Sequence, residues 1–223
     1  MTKTLHFLRH GQALHNINAE PLRAAGCTFQ QFLDQMKVDD AFDAELTDDG
    51  IRQAKVAGAT EIVRARGANI ELIVSSPLTR CLHTGALVFA DQVKDDKIPK
   101  LVCDDLREIS GWLVNAKRRR RSELEAKWTG WDFKSLTEED ELWEEDRLED
   151  DESVVARINS ALKMISELPQ SNIAVVAHGG LFRKMTESVV TKGEISRFNN
   201  CELKTCTFDV DAFGNFVLEE IEC

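Results

Sequence analysis

No Cys-x-x-Cys pair occurs in this chain, although six cysteines stand at positions 27, 81, 103, 201, 206 and 223. Without that ligand spacing a metal site is not expected. A chain of 223 residues lacking a secretion signal points instead to reduced, mostly buried thiols. Long apolar runs are missing as well. The longest aliphatic stretch, Ile173 to Ala177, is far too short to span a bilayer, so no membrane partner is expected. Arg9 and His10 come too early for the apolar region of a signal peptide, which makes a cytoplasmic location the default expectation. There is no internal repeat and no Pro- or Ser-rich linker. Residues 1–223 are therefore expected to form a single domain with a full core, while nothing in the pattern fixes an oligomeric state.

The net charge of −11 is unevenly spread. Between Glu138 and Glu152 eleven acidic residues face one arginine, a local charge of −10 that leaves about −1 for everything else. A nearly neutral body is compatible with an anionic substrate. No basic surface interleaved with aromatics accompanies it, so nucleic acid is not an expected partner.

Apolar patterning predicts strands at about 4–9, 70–75, 99–103, 172–177, 203–210 and 215–221, and helices at about 28–37, 48–66, 77–91, 152–167 and 180–191. Such alternation implies an α/β fold, a mainly parallel sheet with helices on both faces. The turn-rich Asp211-Ala212-Phe213-Gly214-Asn215 predicts an antiparallel hairpin at one edge. Thr47 reads as the N-cap of the second helix, with Asp48 and Asp49 opposing the macrodipole in its first turn. Residues 107–151 break the pattern. They hold the run Lys117-Arg118-Arg119-Arg120-Arg121, tryptophans at 128, 131 and 143, and then the acidic stretch. This region is expected to form a lid-like insertion over the sheet edge.

Two segments share one form, an apolar run that ends in His-Gly. They are Leu5-His6-Phe7-Leu8-Arg9-His10-Gly11 and Ile173-Ala174-Val175-Val176-Ala177-His178-Gly179-Gly180. Each reads as a buried strand that stops at an imidazole, with glycine letting the backbone turn. Open α/β sheets bind ligands beyond the carboxyl ends of their strands. If the two strands are neighbours, His10 and His178 meet there across 168 positions of sequence.

A neutral imidazole is a competent nucleophile toward phosphorus, and the phosphoramidate it forms is open to hydrolysis. Charge on the phosphoryl group then requires cationic donors. Arg9 precedes His10, and Arg80 opens the helix after the strand at 70–75. A planar guanidinium meets two phosphate oxygens and stays charged. Such cations also lower the pKa of a neighbouring imidazole and keep its nitrogen free of a proton. To protonate a leaving alkoxide, Glu108 follows the strand at 99–103 closely, with Asp104 and Asp105 as alternatives.

Five motifs, taken together, resemble the histidine phosphatase superfamily, and more narrowly its phosphoglycerate-mutase-like branch. They are Leu8-Arg9-His10-Gly11 with Asn16, Leu46-Thr47-x-x-Gly50 with Gln53-Ala54, Ser76-Pro77-Leu78-x-Arg80-Cys81, Leu106-x-Glu108 and Ala177-His178-Gly179-Gly180. The resemblance implies a three-layer α/β/α sandwich, a phosphohistidine intermediate on His10, and a phosphoryl group gripped by Arg9, Arg80 and His178. It places Asn16 and Gly179 at the phosphate pocket and makes Glu108 the general acid and base. It implies a small phosphorylated substrate and no cofactor. Two departures set this chain apart from the mutases. Leu106 to Trp112 reads LREISGW ahead of the basic run, and Gly-Gly-Leu follows the second histidine where the mutases carry Gly-Asn-Ser. Both favour a metal-independent phosphomonoesterase over a cofactor-dependent phosphoglycerate mutase. A non-catalytic phosphate-binding scaffold is disfavoured because every phosphate-gripping position is intact.

Among the other residues, His6 is expected to be buried and hydrogen-bonded and His83 to pack, while His15 either lines the pocket or packs against a helix. Arg107 reads as an ordinary surface arginine, and the tryptophans as anchors of a small core belonging to the insertion. The basic run 117–121 reads first as a solvated loop and second as a clamp for a multiply phosphorylated ligand.

Overall fold

The computed structural model describes residues 2–67 and 69–221. Its elements run β1 (Lys3–Arg9), α1 (Ala19–Ala24), α2 (Phe29–Val38), α3 (Asp48–Gly67), β2 (Leu72–Ser75), α4 (Thr79–Val88), α5 (Ala90–Lys94), β3 (Lys100–Val102) and α6 (Arg121–Lys127). They continue with α7 (Asp151–Glu167), β4 (Asn172–Ala177), α8 (Gly179–Ser188), β5 (Val190–Lys192), β6 (Leu203–Val210) and β7 (Phe216–Glu220). Among the described residues seven strands form one sheet in the order β3-β2-β4-β1-β6-β7-β5. β4 is parallel to both β1 and β2, β2 to β3, and β6 is antiparallel to β1 and β7.

The near-continuous apolar runs of β1 and β4 place them centrally, buried on both faces. Alternate side chains then feed two cores. Leu5, Phe7, Val74, Ile173 and Val175 pack with Val154, Ile158 and Leu162 of α7 and Phe182 of α8. Leu8, Ile73, Ala174 and Val176 pack on the other side with Ala54 and Ala57 of α3 and Leu82 and Val88 of α4. The result is a three-layer α/β/α sandwich. No helix among the described residues is long and apolar enough to cross a membrane.

Several boundaries differ from the sequence pattern. The expected helix at 77–91 is two helices, broken at the buried Phe89. The one at 180–191 stops at Ser188, because the β-branched Val190 and Thr191 pair with β7 as the parallel edge strand β5. The β6–β7 hairpin is therefore one strand in from the edge. Short α1 and α6 left no periodic trace. Thr47 does cap α3, its Oγ1 accepting the Gly50 N–H at 3.0 Å.

The tryptophans do not build a core of their own. Trp131 joins Leu124, Phe133 and Leu136 in the main core against α3 and α4, and Trp128 packs on the same cluster. Asp132 exchanges backbone hydrogen bonds with β3, from its N–H to Lys100 O at 2.7 Å and from Val102 N–H to its O at 2.9 Å. Part of the 107–151 region thereby pairs with the outer edge of β3, satisfying backbone groups there.

Candidate active site

β1 and β4 end in step. Arg9 lies opposite Ala177, and the His10 N–H donates to Ala177 O at 3.1 Å. The next residues, His10 and His178, therefore stand side by side, with ring centroids 5.1 Å apart and planes at 62°. His10 Nδ1 is 2.7 Å from the Gly11 carbonyl, which can only accept, so Nδ1 carries the proton and Nε2 keeps a free lone pair. Burial, then the charges of Arg80 and Arg9, hold the His10 pKa well below its ordinary value. Burial, then the charge of Arg80, likewise holds the His178 pKa well below its ordinary value, and its Nε2 lies 2.8 Å from Ser76 Oγ.

Arg80, in the first turn of α4, is completely buried. Nη1 donates to Asn115 O at 2.7 Å, while Nε and Nη2 have no partner among the described residues. A buried guanidinium with unused donors is costly unless an anion meets it. Arg9 donates from Nη1 to Phe198 O at 2.9 Å and from Nη2 to Glu20, and its buried Nε has no partner among the described residues. Two glycines make room around these groups. A Cβ at Gly179 would lie 2.9 Å from Arg9 Nε, and one at Gly180 would run into the Glu108 carboxylate. His178-Gly179-Gly180 thus lets α8 begin directly against both side chains.

Glu108 accepts the Gly180 N–H at 3.1 Å and the Ile109 N–H at 3.0 Å. Of the three candidate acids it is the one that contacts the turn after His178; Asp104 is engaged with Arg107 and Arg118. Asn16 is buried and uses Oδ1 to accept the Ala13 N–H at 3.1 Å, which braces the turn after His10. His15 lines the site, with its ring 6.1 Å from His10 and its buried Nδ1 without a partner among the described residues. His6 is buried and bonds Thr205 at 3.0 Å, and His83 packs near Trp128.

The model of the histidine phosphatase superfamily, branch 1, matches residues 5–214. The chain belongs to this superfamily. Phosphoglycerate mutase-like protein 1 of Arabidopsis thaliana is 28% identical, over 91% of this chain and 80% of that protein. A Schizosaccharomyces pombe protein bearing the name "probable phosphatase" is 27% identical over 82% and 78% of the two chains. The mycobacterial glucosyl-3-phosphoglycerate phosphatase shares the fold, with a TM-score of 0.58 at 17% identity over 98% of this chain and 97% of that one.

The site of this superfamily member rests on residues that local sequence did not single out. Asp43 accepts the Thr79 N–H at 2.8 Å and the Thr79 hydroxyl at 2.5 Å, fixing the start of α4 and hence Arg80. Asp40 accepts the backbone N–H of Val114 and Asn115, each at 2.8 Å, so holding the carbonyl that receives Arg80. Arg157 of α7 donates to the carbonyls of Asp105 (2.9 Å), Arg107 (2.7 Å) and Glu108 (3.1 Å). Glu149 anchors that guanidinium at 2.7 and 2.8 Å and accepts the Ser110 N–H at 3.0 Å. Apart from Glu149, eight residues before Arg157, these partners lie tens of residues from what they hold, so no spacing rule announces them. The Asp-rich 40–43 segment is the nearest thing to a signal.

The basic run is not a solvated loop. Arg118 is buried and donates to Asp104 and to carbonyls of Thr137 (3.0 Å) and Glu139 (2.6 Å). Lys117 sits 4.0 Å over the Trp143 ring, Arg119 pairs with Asp43 at 3.2 Å, and Arg120 and Arg121 face Glu139 and Glu138. Arg107 is not a surface residue either. It is completely buried against Asp140 at 2.5 Å and the Ala116 carbonyl at 2.7 Å. Of the basic run, Arg120 and Arg121 pair with carboxylates of the acidic stretch, while Arg118 and Arg119 pair with Asp104 and Asp43.

Proposed function

We propose that this protein is a metal-independent phosphatase that hydrolyses a small phosphomonoester through a phosphohistidine on His10. One observation carries the reading: a free Nε2 lone pair on His10 stands within the charge field of a buried Arg80 that has two unused nitrogens. In the first half-reaction Nε2 attacks phosphorus and the ester phosphorus–oxygen bond breaks. Arg9, Arg80 and His178 stabilise the charge on the equatorial oxygens. The leaving alkoxide takes a proton from Glu108. In the second half Glu108 accepts a proton from water, which attacks phosphorus as the nitrogen–phosphorus bond breaks, releasing inorganic phosphate and free His10. Asn16 and Gly179 serve the pocket by bracing the turn and making room for Arg9. Free cysteines, four of them buried, fit a reducing compartment such as the cytoplasm.

Relatives named as phosphatase and as mutase-like support the chemistry and leave two fates for the phosphoryl group. The turn Gly179-Gly180, closed down on Glu108, favours transfer to water. A panel of phosphorylated metabolites assayed for phosphate release, run beside a coupled 2,3-bisphosphoglycerate-dependent mutase assay, separates them. Phosphate release from at least one alkyl phosphate, with no mutase turnover, is expected. Mutase turnover without hydrolysis would overturn the reading.

A further inference from the structure

Residues 14–17 reverse the ordinary rule of burial. Leu14 and Ile17 are 42% and 45% exposed, while His15 and Asn16 between them are each 3% exposed. Water thus meets two aliphatic side chains and is kept from an imidazole, which is unfavourable on both counts. Asn16 has a structural reason to be inside. Its Oδ1 accepts the Ala13 N–H at 3.1 Å and its own N–H donates to Ala13 O at 2.8 Å, closing the single 3-10 turn Leu14–Asn16. For His15 there is no such bond: its Nδ1 is buried with no hydrogen-bond partner among the described residues.

What the burial secures is position. The His15 ring lies 6.1 Å from that of His10, with the planes at 50°, and His178 is 5.1 Å from His10, so the nucleophile has two imidazole neighbours. The arginines of the site show the same deficit as His15, at Arg9 Nε and at Arg80 Nε and Nη2. Guanidinium nitrogens only donate, whereas phosphoryl oxygens only accept, several bonds each. One phosphoryl group can therefore satisfy the arginine nitrogens and leave acceptor capacity for a further donor. Burial, then the charges of Arg80 and Arg9, hold the His15 pKa well below its ordinary value, so the ring carries one N–H at neutral pH. A lone pair on Nδ1 would repel an oxyanion; an N–H there meets it.

We propose that His15 is a further catalytic residue, its Nδ1–H donating to an oxygen of the phosphoryl group as His10 attacks. This rests on the phosphatase reading above and adds a third imidazole to the set formed by His10 and His178. A fixed donor that fits the flattened phosphoryl group of the transition state better than the tetrahedral ground state raises kcat rather than lowering KM. It touches the transferred group and not the leaving alcohol, so its effect is independent of the leaving group.

The test compares His15→Leu, His15→Asn and His15→Gln with wild type on nitrophenyl phosphate and on an alkyl phosphate. In His15→Leu kcat should fall about 10²–10³-fold on both substrates, with KM little changed. Inhibition by orthovanadate, which adopts the transition-state geometry, should weaken more than inhibition by inorganic phosphate. The urea midpoint of His15→Leu should not drop, because an apolar side chain replaces a buried polar group that lacked a partner. His15→Asn, whose amide nitrogen can take the place of Nδ1, should recover most of the rate; His15→Gln, whose amide reaches the Nε2 position, should not. Near-wild-type kcat in His15→Leu, a loss confined to the alkyl phosphate, rescue by Gln instead of Asn, or a rate loss that follows a lowered urea midpoint with no rescue by Asn would each overturn the assignment. If wild type hydrolyses no phosphomonoester, the phosphatase reading fails. Calorimetric titration of orthovanadate into wild type and His15→Leu then judges the His15 contact separately, equal affinities ruling it out.

Discussion

Removing the Arg157 guanidinium strips one buried cation from four groups at once. Arg157 and Glu149 have side chains only 6% and 5% exposed. Burial by itself would raise the Glu149 carboxyl, but the hydrogen bonds and charge of Arg157 outweigh it and hold it below the usual range. In Arg157→Met that carboxylate and the carbonyls of Asp105, Arg107 and Glu108 lose their donor. Breaking a buried ion pair costs about 3–5 kcal/mol. For a chain of this size about 1 kcal/mol moves Tm by about 2–4 °C, so a fall of about 6–20 °C is expected. Urea titration should show a lower midpoint with little change in slope, the sign of a stability loss rather than a changed native state. Adding Glu149→Leu removes the stranded charge and should recover much of the stability. It should not restore catalysis, because the loop that carries Glu108 still lacks its anchor. Hydrolysis of alkyl phosphates should therefore stay impaired in the double variant while nitrophenyl phosphate, whose leaving group hardly needs a proton, suffers far less. A single variant within about 1 kcal/mol of wild type, or equal losses on both substrates, would refute this reasoning.

The same leaving-group contrast should appear in Glu108→Gln, with alkyl phosphate hydrolysis slowed about 10²–10⁴-fold and nitrophenyl phosphate much less affected. Equal effects on both would remove Glu108 from the proton transfer. Within the basic run, Arg118→Met should destabilise by about 1–3 kcal/mol as the carbonyls and carboxylate held by its buried guanidinium lose their donor, while Arg120→Gln, in an exposed pair, stays within about 1 kcal/mol in urea unfolding. Burial raises the Asp43 carboxyl to about 6, against the Thr79 hydrogen bonds and the charges of Arg80 and Arg119. Between about pH 4 and 6 the folded chain holds a proton there that the unfolded chain has released, so this group makes stability fall as pH rises through that window. Denaturation of wild type and Asp43→Asn across that range should show wild type losing up to about 3 kcal/mol relative to the variant. A constant difference would remove the effect.

What the sequence revealed and what it hid divide by range. The His10 and His178 signals were legible because both apolar runs are strands buried on both faces, and the runs themselves place the histidines at the strand ends. The two glycines after His178 were visible, but not their separate duties toward Arg9 and Glu108. Arg107 and Arg118 sit among charged neighbours and look solvated. Their acceptors include Asp140 and the carbonyls of Thr137 and Glu139, about twenty to thirty residues on, and only the fold brings these together. Val190 and Thr191 continue a helical pattern, yet an open edge of β7 takes them as a strand. Tertiary context overrides propensity there.

The central claim, that His10 carries the phosphoryl group, is tested most directly by rapid quench with a ³²P-labelled alkyl phosphate. Wild type should yield an acid-labile, alkali-stable label that maps to His10, forms and decays at rates matching turnover, and is absent from His10→Ala together with activity. Phosphate release with no trapped label, a label on another residue, or full activity in His10→Ala would contradict it.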